Sequence, residues 1–432
     1  MEQKEIFDPM LQVWGVPDEY NIMYSADGKR VVGCCNCLLE EYTVREGCET
    51  IAHNAFQNCF GLRRIILPNG LKRIGNSAFK GCTRLQNIEI PDSVTHIGHQ
   101  AFAQCIQLGQ ITLPESLQRL EAGCFIYSGI RTVESRSRNF ECWNGLVTDV
   151  AAGKLVVYVS SANSCAVPEG IRHIGHMAFT GHNELHTVQI PSTVVRITGN
   201  PFFGSGVKNC ESHSEHYVMQ GDFLIEKEKN RLVAWTGEDS SVHVPQGIRT
   251  IGNGAFFGKQ TLERVTLPDS VERIGDRAFL ECGGLKEFTP SASLTVIGRE
   301  AFSECKQLQP FTIPEGVTAI KDWAFNMCKS WDDGQALLPK GLKTLGAWCF
   351  AYCEKITDLN LPYGVESIGN YAFANCTGLE SANVPASVTH IGRNAFLFCR
   401  SLRHITLPAC ATNHSRILTD CGNVKEIKYN LN

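Results

Sequence analysis

Residues 71–91 read LKRIGNSAFKGCTRLQNIEIP and residues 94–114 read VTHIGHQAFAQCIQLGQITLP, so one pattern returns after 23 positions. Written by its shared residues, the pattern is V/L-x-x-I-G-x-x-A-F-x-x-C-x-x-L-x-x-I-x-L/I-P. Its phenylalanine marks the repeat along the chain, at Phe56, Phe79, Phe102, Phe125, Phe179, Phe202, Phe256, Phe279, Phe302, Phe325, Phe350, Phe373 and Phe396. A fixed period of this length is typical of a solenoid, in which each repeat forms one layer, or rung, of a stack.

The spacing within one repeat predicts a β-rich rung. Apolar residues alternate just before the proline, as at Ile88 and Ile90, which indicates a short strand with one buried face. The proline ends the strand because it has no N–H to donate. The I-G-x-x-A-F half turns the chain back, and its glycine permits a tight corner. One repeat is too short to bury its apolar residues, so we expect stacked repeats with parallel strand pairing and one shared core.

Over about residues 44–431 the pattern I-G-x-x-A-F-x-x-C/G-x-x-L-x-x-I-x-L/I-P resembles the BspA-like leucine-rich repeat family. The resemblance implies a leucine-rich-repeat solenoid of bacterial or protozoal type that is displayed on the cell surface or secreted. It also implies binding to host proteins or other cells. Because a fold does not set a function, the ligand stays open at this stage.

Composition narrows the functional classes. The net charge of −4 and the charged fraction of 19% argue against a strongly basic nucleic-acid-binding protein. No apolar run approaches 18 residues, so no transmembrane helix is predicted. The opening residues MEQKEIFDPM lack the apolar core of a signal peptide, which fits either a trimmed mature chain or a cytoplasmic protein.

We predict three segments. Residues 1–43 form an N-terminal cap and a first hairpin, with Phe7, Leu11, Val13 and Trp14 shielding the first rung. Residues 44–408 form the repeat array, and residues 409–432 form a degenerate capping repeat that has lost I-G-x-x-A-F.

Three hairpins interrupt or precede the repeats. The first contains the turn dipeptide Asp27-Gly28. The others lie near residues 140–160 and 217–237, where LVTDVAAGKLVVY and FLIEKEKNRLVAW match each other. We expect these inserts to protrude from one edge of the array, where they serve either recognition or edge protection.

The cysteines follow the repeat. Nine occupy its cysteine position, with Cys421 continuing the series: Cys59, Cys82, Cys105, Cys282, Cys305, Cys328, Cys353, Cys376 and Cys399. We expect an inward column of thiols that pack and form weak hydrogen bonds to the backbone. Disulfides between adjacent rungs stay open as an alternative, since the spacing of about 4.8 Å allows them.

Motifs for catalysis or metal binding are weak. The Cys34–Cys37 pair has C-x-x-C spacing without a second such pair. The paired histidines His96/His99 and His173/His176 fit variation within the repeat better than a ligand set. The sequence contains no G-x-S-x-G, H-E-x-x-H or P-loop motif. We therefore predict no enzymatic activity, no cofactor and no metal.

One surface position is often basic. The residue before the isoleucine of I-G is basic at Arg73, His96, Arg119, His173, Arg196 and Arg273. Stacking would place these side chains about 5 Å apart, at which like charges repel. One interpretation pairs them with the acidic residues that follow the repeat prolines, Asp92, Glu115, Glu169, Asp269 and Glu315. The other is a binding stripe for an anionic ligand.

The outward residues of the longer strands are the second candidate surface. They are mostly small and polar, as at Asn87, Gln110 and Asn360, and suit either an extended partner or simple solvation. We therefore expect a non-enzymatic protein that binds another protein. Binding of an acidic glycan and an intracellular scaffold remain alternatives, and the sequence does not indicate an oligomeric state.

Overall fold

A computed structural model describes residues 6–8, 13–332, 338–411, 414–422 and 424–430. The predicted cap residue Leu11 lies outside this part. The chain divides into two compact units, residues 1–216 and residues 217–432. The predicted boundaries at residues 43 and 408 stay predictions.

The first unit consists of short strands joined by turns. In chain order they are Ile6–Asp8 (β1), Val13–Pro17 (β2), Ile22–Tyr24 (β3), Arg30–Cys34 (β4), Glu41–Thr43 (β5), Thr50–Ile51 (β6), Arg64–Ile66 (β7), Arg73–Ile74 (β8), Asn87–Ile88 (β9), His96–Ile97 (β10), Gln110–Leu113 (β11), Arg119–Leu120 (β12), Thr132–Ser135 (β13), Phe140–Trp143 (β14), Leu146–Asp149 (β15), Lys154–Tyr158 (β16), Ser164–Ala166 (β17), His173–Ile174 (β18), Thr187–Ile190 (β19), Arg196–Ile197 (β20) and Asn209–Ser212 (β21).

The second unit is built in the same way. Its strands are Tyr217–Gln220 (β22), Phe223–Glu226 (β23), Arg231–Trp235 (β24), Ser241–His243 (β25), Thr250–Ile251 (β26), Arg264–Thr266 (β27), Arg273–Ile274 (β28), Glu287–Thr289 (β29), Val296–Ile297 (β30), Ala319–Ile320 (β31), Thr344–Leu345 (β32), Asp358–Asn360 (β33), Ser367–Ile368 (β34), Ser381–Asn383 (β35), His390–Ile391 (β36), His404–Pro408 (β37) and Glu426–Asn430 (β38). A short 3₁₀ turn spans His414–Arg416.

Most rungs contribute a two-residue strand at the x-I-G position, and most also contribute a second strand before the proline. Stacking joins the two-residue strands into parallel ladders, ordered β4-β6-β8-β10-β12 and β16-β18-β20 in the first unit and β24-β26-β28-β30-β31-β32-β34-β36 in the second. The other strands form small parallel sheets, ordered β5-β7-β9, β11-β13, β17-β19-β21, β25-β27-β29 and β33-β35-β37-β38. The predicted fold, a solenoid of stacked parallel strands, is therefore confirmed.

The predicted hairpins belong to antiparallel meanders, and the last strand of each meander pairs with a ladder. Strands β14, β15 and β16 pair antiparallel, and β16 then pairs in parallel with β18. Strands β22, β23 and β24 repeat this arrangement against β26, and β2, β3 and β4 do so against β6. The last strand of each meander thus takes the place of a rung, and the prediction that these segments protrude is not confirmed.

A column of stacked phenylalanine rings runs through the core. In the second unit the ring of Phe302 lies between those of Phe279 and Phe325, with centroids 5.2 and 5.3 Å away and planes within 6°. The first unit repeats this at Phe56, Phe79 and Phe102, with centroids 5.4 Å apart. Neighbouring rungs therefore bury their largest side chains mainly against one another, since identical residues occupy identical positions.

The glycine of I-G is needed for close approach between rungs. A Cβ atom on Gly75 would lie 2.6 Å from the carbonyl carbon of Ala52 in the preceding rung. The φ angle of Gly75 is not positive, so glycine is needed at this position for the close approach of the rungs and not for a left-handed backbone.

The residue after this glycine often ties its rung to the next. The Asn76 side chain accepts a hydrogen bond from the backbone N–H of His99 at 3.0 Å. In the second unit Asp276 accepts one from Arg299 at 2.9 Å, and Asn370 accepts one from Arg393 at 2.7 Å. Backbone donors at the turns are thereby satisfied by side chains of the adjacent rung.

The repeat cysteines form the expected inward column. From Cys82 onward each thiol donates to the carbonyl oxygen of the phenylalanine in the preceding rung, for example Cys105 to Phe79 at 3.1 Å and Cys305 to Phe279 at 3.1 Å, whereas Cys59 contacts the Cys34 side chain. These cysteines are buried free thiols. Burial raises the pKa of the Cys105 thiol to about 12, which suppresses the reactive thiolate.

Four positions of this column depart from cysteine, namely Ser128, His182, Ser205 and Lys259, and two of these, His182 and Lys259, directly follow a meander. His182 packs edge-on against Tyr158, with ring centroids 5.2 Å apart. Lys259 lies over the Trp235 ring and donates to the carbonyl oxygen of Gly237 at 2.9 Å. In these two rungs the meander supplies Tyr158 or Trp235 where a repeat would supply phenylalanine, and the longer side chain of His182 or Lys259 packs against that ring.

We expect Phe302→Ala to lower the free energy of unfolding by about 3–5 kcal/mol, because it leaves a cavity between two stacked rings. Phe396→Ala should cost less, since terminal rungs fray more readily and its stacked partner is Phe373. Urea unfolding monitored by circular dichroism measures both losses. Equal losses at the two positions would contradict a stack of rungs that are stabilised by their neighbours.

We expect the column cysteines to react slowly with iodoacetamide until the chain unfolds, because their thiols are buried and protonated. The exposed Cys37 should be labelled first and provides the internal control. Mass mapping of labelled peptides with and without urea measures this order. A Cys305–Cys328 cross-link in freshly purified protein would contradict the assignment of free thiols.

Candidate functional site

The ladder strands set the geometry of the basic surface position. Each two-residue strand points its isoleucine or leucine into the core and its first residue outward, as for Ile74, which is buried, and Arg73, which is exposed. The registers Arg73↔His96 and His96↔Arg119 then place three of the predicted site residues on adjacent strands. The same outward position recurs along every ladder.

The other predicted residues lie elsewhere. His173 and Arg196 are adjacent in a different sheet of the first unit. Arg273 belongs to the second unit, where its neighbours along the ladder are Thr250 and Val296. The structure therefore brings five of the six predicted residues into two ladders of the first unit and leaves Arg273 among uncharged neighbours.

Sequence reasoning missed three further members of this position. Arg30, Lys154 and Arg231 occupy it in the last strands of the three meanders, paired with Thr50, His173 and Thr250 respectively. The available signal was a basic residue followed by two or more apolar residues, in KRVVG, GKLVVY and NRLVAW. Because these segments lack I-G-x-x-A-F, the repeat pattern alone did not align them.

We define the first basic ladder as Arg30, Thr50, Arg73, His96 and Arg119, which follow one another on β4, β6, β8, β10 and β12. Cationic and uncharged side chains alternate along it at neutral pH. Burial, followed by the nearby cations Arg73 and Arg119, lowers the pKa of His96. Successive arginines are two rungs apart, about 9.6 Å, which weakens their mutual repulsion.

We define the second basic ladder as Lys154, His173 and Arg196, which follow one another on β16, β18 and β20. It repeats the order of cation, histidine, cation. Burial, with smaller contributions from Lys154 and Arg196, lowers the pKa of His173 to about 4. His173 Nε2 also lies 2.7 Å from Thr198 Oγ1, so the ring is held in place while uncharged.

The acidic residues predicted to neutralise the column have other partners. Asp92 accepts the backbone N–H of Glu115 at 3.0 Å, and Glu169 accepts that of Ser192 at 3.1 Å. In the second unit Glu315 accepts the N–H of Lys340 at 3.0 Å. The prediction that these carboxylates pair with the basic column was wrong, because they cap the turn of the next rung instead.

The cations of the two ladders are therefore not neutralised by these acidic residues. Arg119 Nε lies 2.6 Å from Glu121 Oε1, while within the described residues Arg73 and Arg196 form no ion pair. Beside the first ladder, Glu49 contacts Lys29 at 3.2 Å and Lys72 at 3.9 Å. One carboxylate thus serves two lysines, and this face remains positively charged although the chain carries a net charge of −4.

The small parallel sheets present the second predicted surface. Their outward side chains partly pair among themselves: Ser381 donates to Asp358, and His404 Nδ1 lies 3.4 Å from Glu426 Oε2. In the second unit Arg264 forms a two-point contact with Glu287 at 2.7 and 3.0 Å. All three pairs lie in the second unit and neutralise charge locally, so the small sheets of that unit offer less unpaired charge than the basic ladders.

An aromatic stack that the sequence reasoning missed lies at the turns of the second unit. The rings of Trp323, Trp348 and Tyr371 stack with centroids 4.8 and 4.3 Å apart and planes within 12°. Its signal was the residue before Ala-Phe or Cys-Phe, which is aromatic in three consecutive repeats. Both faces of Trp348 are covered by neighbouring rings, so this ring offers no free face on which a sugar can stack.

The motifs considered for metal binding do not converge. Cys34 is buried and Cys37 is exposed, and His99 Nδ1 contacts the carbonyl oxygen of Ala122. Within the described ranges, no three His, Cys, Asp or Glu side chains are grouped so as to hold a metal ion. The same ranges contain no helix with the length and hydropathy of a membrane span.

Comparison with known families identifies the repeat. The BspA type leucine-rich repeat region matches residues 33–142, 154–224, 234–333 and 334–432, in six copies. These ranges cover most of the chain, which therefore belongs to the BspA-type leucine-rich repeat family. The matched ranges include the strands of the basic ladders except the start of β4, which carries Arg30.

Solved structures share the fold. A leucine-rich repeat protein from Eubacterium ventriosum is 19% identical, with 83% of this chain and 82% of that chain covered and a TM-score of 0.51. A leucine rich cell surface protein from Faecalibacterium prausnitzii is 23% identical over 96% of this chain and 94% of that chain, with a TM-score of 0.42. No curated protein matches this sequence.

We expect the stability of the first unit to fall as the pH drops from about 6.5 to about 4. The folded-state pKa of His173 is about 4, whereas an unfolded histidine titrates near 6.5. Between these values the unfolded chain binds more protons, so stability is lost as the pH falls. The variant His173→Gln should flatten this dependence in urea melts.

Lys154→Gln provides the matched electrostatic test. Removing this cation should raise the pKa of His173 toward its ordinary value, because one unfavourable charge is lost. An NMR titration of the histidine ring protons measures the shift. Exchange of the exposed His213 for Gln serves as the control, and an unchanged His173 pKa in Lys154→Gln would contradict coupling along the ladder.

Proposed function

We propose that this chain is a non-enzymatic binding protein of the bacterial cell-surface type that holds a protein ligand through the two basic ladders of its first unit. The observation that carries the proposal is the in-register placement of Arg30, Arg73 and Arg119, with Lys154 and Arg196 in the second ladder. Membership of the BspA-type leucine-rich repeat family supports the proposal, since the resemblance to that family implies binding and display on the cell surface.

The ladders suit an extended acidic ligand for electrostatic reasons. Side chains that occupy one position in successive rungs point the same way, so a linear anion laid along them meets several cations at once. Such a surface accelerates encounter with acidic partners and weakens as salt screens the charges. The ligand needs no particular functional group beyond its negative charges, because the affinity comes from several repeated ionic contacts.

The triple change Arg73→Ser, Arg119→Ser, Arg196→Ser tests this proposal. Each exposed ionic contact contributes about 0.5 kcal/mol, so the loss of three should weaken binding about tenfold at low salt. The assay is fluorescence anisotropy with labelled polyglutamate at two salt concentrations, with polylysine as the opposite-charge probe. The melting curve should stay unchanged because these side chains are exposed.

A matched control removes the same charge elsewhere. Arg249→Ser, Arg264→Ser, Arg299→Ser takes three exposed arginines from the second unit. We expect this variant to bind polyglutamate almost as well as the unaltered chain. Equal losses of polyglutamate affinity in both triple variants would show that net charge alone explains the effect. This result would refute a site on the basic ladders.

A further inference from the structure

We propose that the first basic ladder recognises an acidic peptide in the polyproline II conformation that carries a carboxylate at every third residue. This inference rests on the proposed function and names the partner that the ladder fits. It starts from the alternation of cationic and uncharged positions, Arg30, Thr50, Arg73, His96 and Arg119. A partner must match the interval between cations as well as their sign.

The interval between cations is fixed by the backbone. Adjacent parallel strands are about 4.8 Å apart, so Arg30 and Arg73 are about 9.6 Å apart and Arg30 and Arg119 about 19 Å apart. Arg30, Arg73 and Arg119 are exposed and share one outward direction. Their side chains therefore present three positive charges at equal steps along a line.

A polyproline II helix supplies the matching interval. It rises about 3.1 Å per residue with three residues per turn, so every third side chain lies on one face at steps of about 9.3 Å. Over the full span of the three arginines the mismatch is about 0.6 Å, which flexible arginine side chains absorb. The conformation is already ordered before binding, so little entropy is lost on association.

Other backbone conformations fit less well. An extended β-strand places same-face side chains about 6.7 Å apart. When one carboxylate is aligned with Arg30, the nearest carboxylate to Arg73 is displaced from it by about 3 Å along the ladder. An α-helix brings residues to one face every seventh position, at about 10.5 Å, and is about 2 Å out of step at the third contact. The polyproline II conformation alone stays in step across all three arginines.

The surroundings of the ladder are compatible with this ligand. Glu121 contacts the Nε of Arg119, and the guanidinium keeps its terminal N–H donors for a second carboxylate. Glu49 is already engaged by Lys29 and Lys72, so it opposes an incoming anion less than a free carboxylate would. Thr50 and His96 are uncharged spacers at neutral pH and leave room between the contacts.

Two synthetic peptides of identical composition test the spacing, each with five glutamates and ten prolines. The first is (Glu-Pro-Pro)5. In the second, the glutamates stand at positions 1, 2, 6, 10 and 14, so no two are three or six residues apart. We expect the periodic peptide to bind the full chain about fivefold tighter at low salt, because it makes two more ionic contacts. Fluorescence anisotropy measures both affinities.

Variants locate the effect. Arg73→Gln should reduce the difference between the peptides from about fivefold to about twofold, since it deletes the central contact and leaves those to Arg30 and Arg119. Arg84→Gln, which takes an exposed arginine from a turn of the same unit, should leave the difference intact. Thermal melts of both variants establish that the fold is retained.

The outcomes separate this inference from the proposed function. Equal affinities of the two peptides, with salt-dependent binding lost in the triple arginine variant, would overturn the spacing while leaving the proposed function in place. Binding of a sulfated glycan such as heparin without binding of either peptide would overturn a peptide partner. If polyglutamate, heparin and both peptides all fail to bind, the proposed function fails as well.

Discussion

The stack of identical side chains on successive rungs is the interaction on which this structure depends. One rung of 23 residues cannot enclose a phenylalanine by itself, and the ring is buried only when the rings of the adjacent rungs cover its two faces. Phe302 achieves this between Phe279 and Phe325. The same stacking lets Cys305 donate to the Phe279 carbonyl oxygen, so apolar burial and polar satisfaction both require strict register.

Register in the core dictates the register on the surface. When Ile74 and Ile97 are paired, Arg73 and His96 are brought side by side whether or not their charges favour it. The chain relieves this conflict by alternation, placing Thr50 and a histidine of lowered pKa between arginines. The second ladder relieves it in the same way with His173. Both sheets place an uncharged residue between two cations. This alternation indicates that stacking of the rungs constrains which residues can follow one another at the outward position.

The period, the buried positions and the inward thiols were predictable because each follows from one residue type at one spacing. The outward basic position was also visible, at Arg73, Arg119 and Arg196. Its extension to Arg30, Lys154 and Arg231 was not, because strand pairing brings the meanders into the ladder without the repeat motif. The partners of Asp92 and Glu169 were mispredicted because a turn N–H in the next rung competes with a flexible cation for the carboxylate. Such competition is decided by distances that the linear pattern does not contain.

Differences in repeat length leave the ladder spacing unchanged. The interval between Phe325 and Phe350 is 25 residues rather than 23, yet Ala319 still pairs with Thr344, and Thr344 with Ser367. The added residues are accommodated between strands, while the strands remain one hydrogen-bonded step apart. The meanders obey the same constraint, since Lys154 pairs with His173 as directly as His173 pairs with Arg196. Loops can therefore vary in length without altering the distance between neighbouring ladder residues, and a partner that reads this distance meets the same step on every rung.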